Sequence, residues 1–121
     1  MQYIMLKSKI HCATVTDVEP DYEGSLAIDS NLMEIVKLRP FEKIMVANIS
    51  NGNRLETYAI PAQAGSGRIC LNGAASHKGN KGDKITIFAF GVCTEDEISH
   101  HKPLIIRLNK NNLPAGPLKD V

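Results

Sequence analysis

The chain has 121 residues, 43% hydrophobic and 22% charged, which suits one compact soluble domain and leaves little room for a second. Its 14 basic and 13 acidic residues give a formal charge of +1, so no electrostatic footprint points to nucleic acid or an anionic membrane. No apolar run approaches the roughly 20 residues that span a bilayer, the opening MQYIMLKSKIHC lacks a signal-peptide core, and Cys12, Cys70 and Cys93 match no zinc spacing. The expectation is a cytoplasmic protein with three free thiols and no metal.

Short apolar and β-branched segments recur between Gly, Asn and Pro. Tyr3–Lys7, Ala13–Val18 and Ser25–Ile28 read as strands. Ser30–Leu38 reads as a helix, with Leu32, Ile35 and Val36 on one face and Asn31 and Glu34 spaced as a capping box. Pro40 stops it. Lys43–Ile49 and Leu55–Ile60 read as paired strands, and Asn51-Gly52 between them suits a type I′ hairpin turn, whose central residues need positive φ. Arg68–Leu71 reads as a strand, and Ala74–Lys78 as a helical turn ended by Gly79. Lys84–Val92 and Leu104–Leu108 read as strands, and the Pro-, Asn- and Lys-rich Asn109–Val121 as a loosely held tail. Many short strands with two short helices predict a mainly β fold, a small β-barrel.

Gly24-Ser25 has the makings of a reaction site. A serine hydroxyl can attack the carbonyl that precedes it, given a strained bond and donors for the oxyanion, and glycine leaves that carbonyl open. Gly-Ser is also a plain turn dipeptide, and Gly65-Ser66 is a second copy of it. Lys9 and His11 share one strand face by their spacing, as do Arg54 and Tyr58. A guanidinium forks naturally onto a carboxylate, and a phenol can deliver a proton. Single residues of these kinds also decorate ordinary surfaces. Asn72-Gly73-Ala74-Ala75 has side chains small enough to let a ligand approach the backbone N–H groups, and is equally a turn signal. His77, His100 and His101 follow no metal-ligand spacing.

As a set, Lys9, His11, Tyr22-Glu23-Gly24-Ser25, Arg54, Thr57-Tyr58 and Asn72-Gly73-Ala74-Ala75 resemble the bacterial aspartate 1-decarboxylases in order and spacing, over roughly the first hundred residues. The resemblance implies a double-ψ β-barrel assembled as a homotetramer, with active sites between subunits. It implies self-cleavage between Gly24 and Ser25, with help from Thr57, into a β chain of residues 1–24 and an α chain of residues 25–121. Ser25 would become a covalent pyruvoyl group that forms a Schiff base with the substrate amine and takes the electron-sink role that PLP plays elsewhere, with no PLP and no metal. Tyr58 would be the proton donor. Arg54 and Lys9 would hold carboxylate, Thr57, Asn72, Gly73, Ala74 and Ala75 would position the substrate, and His11 and Tyr22 would support the site. The product, β-alanine, would serve pantothenate and coenzyme A synthesis, and some relatives need a maturation protein.

The adjacency of Thr57 and Tyr58 is at odds with an ideal strand, which sends neighbours to opposite faces; a bulge, a strand end or a site shared between subunits would reconcile it. Ala47 stands where some relatives carry a bulky aromatic. Two alternatives stay open: a non-catalytic barrel that never cleaves, and a pyruvoyl decarboxylase of another amino acid. Arg54 and Lys9 together favour a dicarboxylate such as L-aspartate, since a mono-acid leaves one cation without a partner.

Overall fold

The computed structural model describes Met1–Val121. In chain order the strands are β1 (Gln2–Thr14), β2 (Asp17–Glu19), β3 (Ser25–Asp29), β4 (Lys43–Asn48), β5 (Arg54–Ala62), β6 (Ile69–Asn72), β7 (Lys84–Thr94) and β8 (Leu104–Arg107). Helix α1 (Ser30–Ile35) follows β3, a 3₁₀ helix (Gly73–Lys78) follows β6, and α2 (Glu95–Ile98) follows β7. The strands form one sheet in the order β2-β6-β3-β5-β4-β7-β1-β8. Between β1 and β2, Val15 N–H donates to the Asp83 carbonyl while Thr16 N–H donates to that of Ile69, just before β7 and in β6 respectively. The chain therefore ties distant parts of the sheet together, and the curled sheet makes a small β-barrel. Ile10, Leu26, Ile28, Val46, Ile69, Leu71, Ile85, Ile87 and Ile106 fill it, each at most 1% exposed. Burial of such side chains, at about 1.5–3 kcal/mol each, is the main force holding the barrel.

Several local expectations are corrected. Tyr3–Lys7 and the start of Ala13–Val18 belong to one strand, whose register against β7 shifts at Leu6/Ser8 and again at Ile10/Ala13. Cys12 sits in the second irregularity with φ +63°. Helix α1 ends at Ile35 because Lys37 turns left-handed (φ +57°) and Leu38 N–H returns to the Met33 carbonyl. Its cap is Asp29, not Asn31: the carboxylate accepts from the N–H groups of Asn31, Gly65 and Gly67. The β4–β5 hairpin is present, but Gly52 alone has positive φ, so the turn is not type I′. The Asn48 side chain shapes that loop by accepting from the Ser50 and Asn51 N–H groups. A capping box of Thr94 and Glu97 starts a further short helix, α2.

The tail is held down. Asn112, 2% exposed, donates from Nδ2 to the carbonyls of Thr14 and Gly67 and accepts from Thr14 N–H at 2.7 Å. Beyond it, Ala115 N–H donates to the Arg107 carbonyl and Lys119 N–H to that of Ile105, both at 2.8 Å. The last residues therefore run along β8.

Candidate active site

Ser25 opens β3 at the point where the chain passes from solvent into the barrel: Gly24 is exposed and Ser25 is 1% exposed. Its neighbour across the antiparallel ladder is Asn72, the last residue of β6. Asn72 Nδ2 donates to Ser25 Oγ at 3.0 Å, and the serine hydroxyl donates to the Glu23 carbonyl at 3.2 Å. On the far side of the amide, the Cys70 thiol donates to Asn72 Oδ1 at 3.2 Å. Burial first, and then the Asp17 carboxylate, push the Cys70 thiol up to about 11. A thiol that keeps its proton faces the amide's oxygen, which turns the amide's NH₂ toward Ser25.

Gly73 closes the same corner. Its φ is +63°, and a Cβ there would lie 2.7 Å from Gly24 N and Tyr22 O and 2.8 Å from Gly24 Cα. The special demand for glycine thus falls on Gly73. Gly24 has no positive φ, and a Cβ on it meets nothing within 4 Å. Ala75 is buried and Ala74 exposed on the 3₁₀ helix that follows. Tyr22, 59% exposed, and Asn72 line a cleft of about 360 Å³ with Glu19 and Arg68, the latter forked onto Asp17. The second pair, Gly65-Ser66, is a plain turn: Gly65 has φ +79° and the Asp29 carboxylate holds its N–H.

Residues paired across neighbouring strands share a face of the sheet. Along β5, Leu55, Thr57 and Ala59 turn toward the core, and Arg54, Glu56 and Tyr58 turn outward. One outward row runs Arg54, Ala47, Thr86, with His11 Nδ1 3.2 Å from Thr86 Oγ1 and Arg107 opposite His11. The next runs Glu56, Met45, Phe88, Lys9, where the Lys9 ammonium lies 5.5 Å from the Phe88 ring centre. Arg54 is exposed and its guanidinium reaches only Met45 Sδ, at 3.7 Å. Tyr58 leans on Phe41, ring centres 6.1 Å apart, and precedes Ala59, whose pairing with Leu26 begins the parallel β3–β5 ladder.

Thr57 and Tyr58 do point to opposite faces. Register between β4 and β5 is unbroken from Lys43–Tyr58 to Ala47–Arg54, so no bulge reconciles them, and Thr57 makes no hydrogen bond to Gly24. Lys9 and His11 line a different cleft from Tyr22 and Asn72. Burial, then Lys9, Arg107 and Lys119, hold the His11 imidazole below its ordinary value near 6.5. His77 and His100 are exposed, and the His101 ring nitrogen lies 2.6 Å from the Leu6 carbonyl oxygen. Cys70, Arg107 and Lys119 were not singled out from sequence. Cys70 had one signal, its spacing of two from Asn72, which puts both side chains on one face of β6.

A barrel with a buried serine gripped by an amide, and a cation-rich outer face carrying a phenol, has the parts of a small enzyme acting on an anionic substrate. The family model described as aspartate decarboxylase matches residues 1–114. The chain is 52% identical to the aspartate 1-decarboxylase of Dehalococcoides mccartyi over 108 residues, 89% of this chain and 87% of that one. It is 47% identical to the aspartate 1-decarboxylase of Thermoanaerobacter pseudethanolicus over 116 residues, 96% and 99% of the two chains. A third relative of that name, from Syntrophobacter fumaroxidans, is 49% identical over 116 residues, 96% and 94%. The chain belongs to the aspartate decarboxylase family.

Proposed function

We propose that this protein converts L-aspartate to β-alanine and carbon dioxide with a pyruvoyl group made from its own Ser25. The observation that carries the reading is the Ser25 corner: Oγ is buried and held by Asn72 at 3.0 Å, beside an exposed Gly24 that Gly73 packs against. These residues fit the group, because its precursor is buried in a polar-lined corner with its N-terminal neighbour free to leave.

Maturation is chemistry of the chain itself. Ser25 Oγ turns from the Glu23 carbonyl to the Gly24 carbonyl carbon, the C–N bond breaks, and an ester replaces the amide. Loss of the Ser25 α-proton then breaks the Oγ–Cβ bond, freeing the β chain Met1–Gly24 as a carboxylate. Hydrolysis with loss of ammonia leaves the α chain, which starts at position 25. Thr57 assists that attack. The finished pyruvoyl group supplies an electron sink for the pair released as carbon dioxide leaves. Arg54 and Lys9 hold substrate carboxylate, Asn72 and the Gly73–Ala75 backbone position the substrate, His11 and Tyr22 support the pocket, and Tyr58 delivers the proton to the α-carbon.

Lys9 lies four strands from Ser25 in the sheet order and lines a different cleft from Tyr22 and Asn72. A site shared between the subunits of a homotetramer would bring these groups to one substrate. The outward face of β1, β4 and β7 supports this: Ile4, Phe90 and Val92 are 77%, 44% and 60% exposed around an apolar groove of about 480 Å³. In the cytoplasm, the product feeds pantothenate and coenzyme A synthesis.

Intact mass combined with an aspartate assay tests the reading. Wild type is expected to split at Gly24–Ser25 and release β-alanine, and Ser25→Ala to stay whole and inactive. β-Alanine from Ser25→Ala overturns the mechanism. Tyr58→Phe is expected to split normally and lose about a hundredfold or more in turnover.

A further inference from the structure

The cleft that holds Lys9 and His11 contains more positive charge than those two residues supply. It measures about 440 Å³, and its other charged lining residues are Arg107 and Lys119; no acid faces it. The three ion pairs of the chain engage Lys7, Lys43 and Arg68, so Lys9, Arg107 and Lys119 have no carboxylate partner. Burial first, and then Lys9, Arg107 and Lys119, hold the His11 imidazole below its ordinary value. Three uncompensated cations round one concavity repel each other, and an anion in their midst relieves that repulsion.

The placement is built into the fold. Parallel pairing of β1 with β8 sets Arg107 directly opposite His11, so both project from the same face. Lys119 arrives by another route: the tail runs back along β8 through the bonds of Ala115 N–H to Arg107 and Lys119 N–H to Ile105. Gly116, with φ +136°, lets the tail bend beside the cleft. The buried Asn112 anchors the run upstream.

We propose that Arg107 and Lys119 complete, with Lys9 and His11, a carboxylate-binding subsite that selects a dicarboxylate. The inference rests on the decarboxylase reading, in which Lys9 meets the substrate, and adds a strand and a tail to that site. Arg107 offers the planar fork that binds a carboxylate through two hydrogen bonds, and Lys119 adds a point charge on a flexible stem. The neutral His11 ring is left to donate or accept a single hydrogen bond.

Calorimetric titration of the mature wild-type protein with succinate, a dicarboxylate with no amine to react, tests the subsite directly. Succinate is expected to bind wild type and to bind Arg107→Gln more weakly by about tenfold or more, the size of one charge-assisted hydrogen bond. Lys119→Gln is expected to lose less, and Arg107→Lys to recover part of the loss. The KM for L-aspartate is expected to rise with the loss of succinate binding while kcat stays within about twofold of wild type, a split that a structural defect does not produce. Succinate binding that is absent in wild type, or equal in wild type and Arg107→Gln, overturns the subsite. Failure of the decarboxylase reading shows separately, as mature wild type that makes no β-alanine.

Discussion

The side-chain amide of Asn72 donates a hydrogen bond to the hydroxyl oxygen of Ser25 across 3.0 Å, in a corner where both residues are no more than 3% exposed. That bond holds the oxygen at the end of β3, and the Cys70 thiol decides which end of the amide faces it. Asn72→Ala is expected to slow chain cleavage at least tenfold, as a misplaced attacking atom costs orders of magnitude. Cys70→Ser keeps a donor and is expected to process near the wild-type rate, whereas Cys70→Val, similar in size but unable to donate, is expected to slow. Time courses by intact mass at matched melting temperature separate the two. Equal rates for the serine and valine variants would show that the thiol does not orient Asn72.

Gly73 faces a steric demand that Gly24 escapes. A Cβ at Gly73 would press on backbone atoms of Tyr22 and Gly24 at 2.7–2.8 Å, distances that require the loop to move. Gly73→Ala is therefore expected to fold less stably and to process slowly. Gly24→Ala, with open space around the new methyl, is expected to leave the melting temperature of an unprocessed Ser25→Ala background within about 1 °C. The left-handed Gly82 (φ +93°) also has open space, so Gly82→Ala measures the cost of positive φ alone. A Gly73→Ala variant that behaves like Gly82→Ala would remove the contact with Gly24 as the reason for glycine.

Strands such as Lys84–Thr94 were legible because β-branched residues recur there and alternate across the sheet. The middle of β1 was not, since Ser8 is polar yet buried and Cys12 breaks the register. The tail read as loose because its hold is long-range: Asn112 binds Thr14 and Gly67, which no local pattern connects to it. Within the site, the motif residues were visible one by one, and parity alone placed Arg54 and Tyr58 on one face. The Asn72–Ser25 bond needed the register of β3 against β6. Arg107 became part of the site only through the pairing of β8 with β1.

Asn112 is the clearest stability test. It uses both ends of its side chain on buried backbone groups and holds φ +58°, a region alanine disfavours. Asn112→Ala strands Thr14 N–H and two carbonyls at once. The expected loss is roughly 2–4 kcal/mol, read from denaturant unfolding at fixed protein concentration. Asn112→Gly removes the same bonds without the positive-φ penalty and is expected to lose about 1 kcal/mol less. Because the tail carries Lys119 to the Lys9 cleft, both variants are also expected to raise the KM for L-aspartate.

The depressed proton affinity of His11 gives stability a pH dependence of definite sign. Burial, Lys9, Arg107 and Lys119 all disfavour the imidazolium in the fold, so below pH 6.5 the unfolded chain takes up a proton that the folded chain resists. The stability from a neutral His11 is therefore complete above the unfolded value and is lost as pH falls toward the lower folded value. The Asp83 and Glu97 carboxylates, held down by hydrogen bonds from Asn48 and from Thr94 N–H respectively, act at lower pH, starting near 4. Between pH 7 and about 5, His11→Gln is accordingly expected to lose less stability than wild type. Saturating succinate should shrink that difference, because an anion among the three cations makes the imidazolium less costly. Identical pH profiles for the two proteins would show that neither burial nor the neighbouring cations disfavour the His11 imidazolium in the folded state.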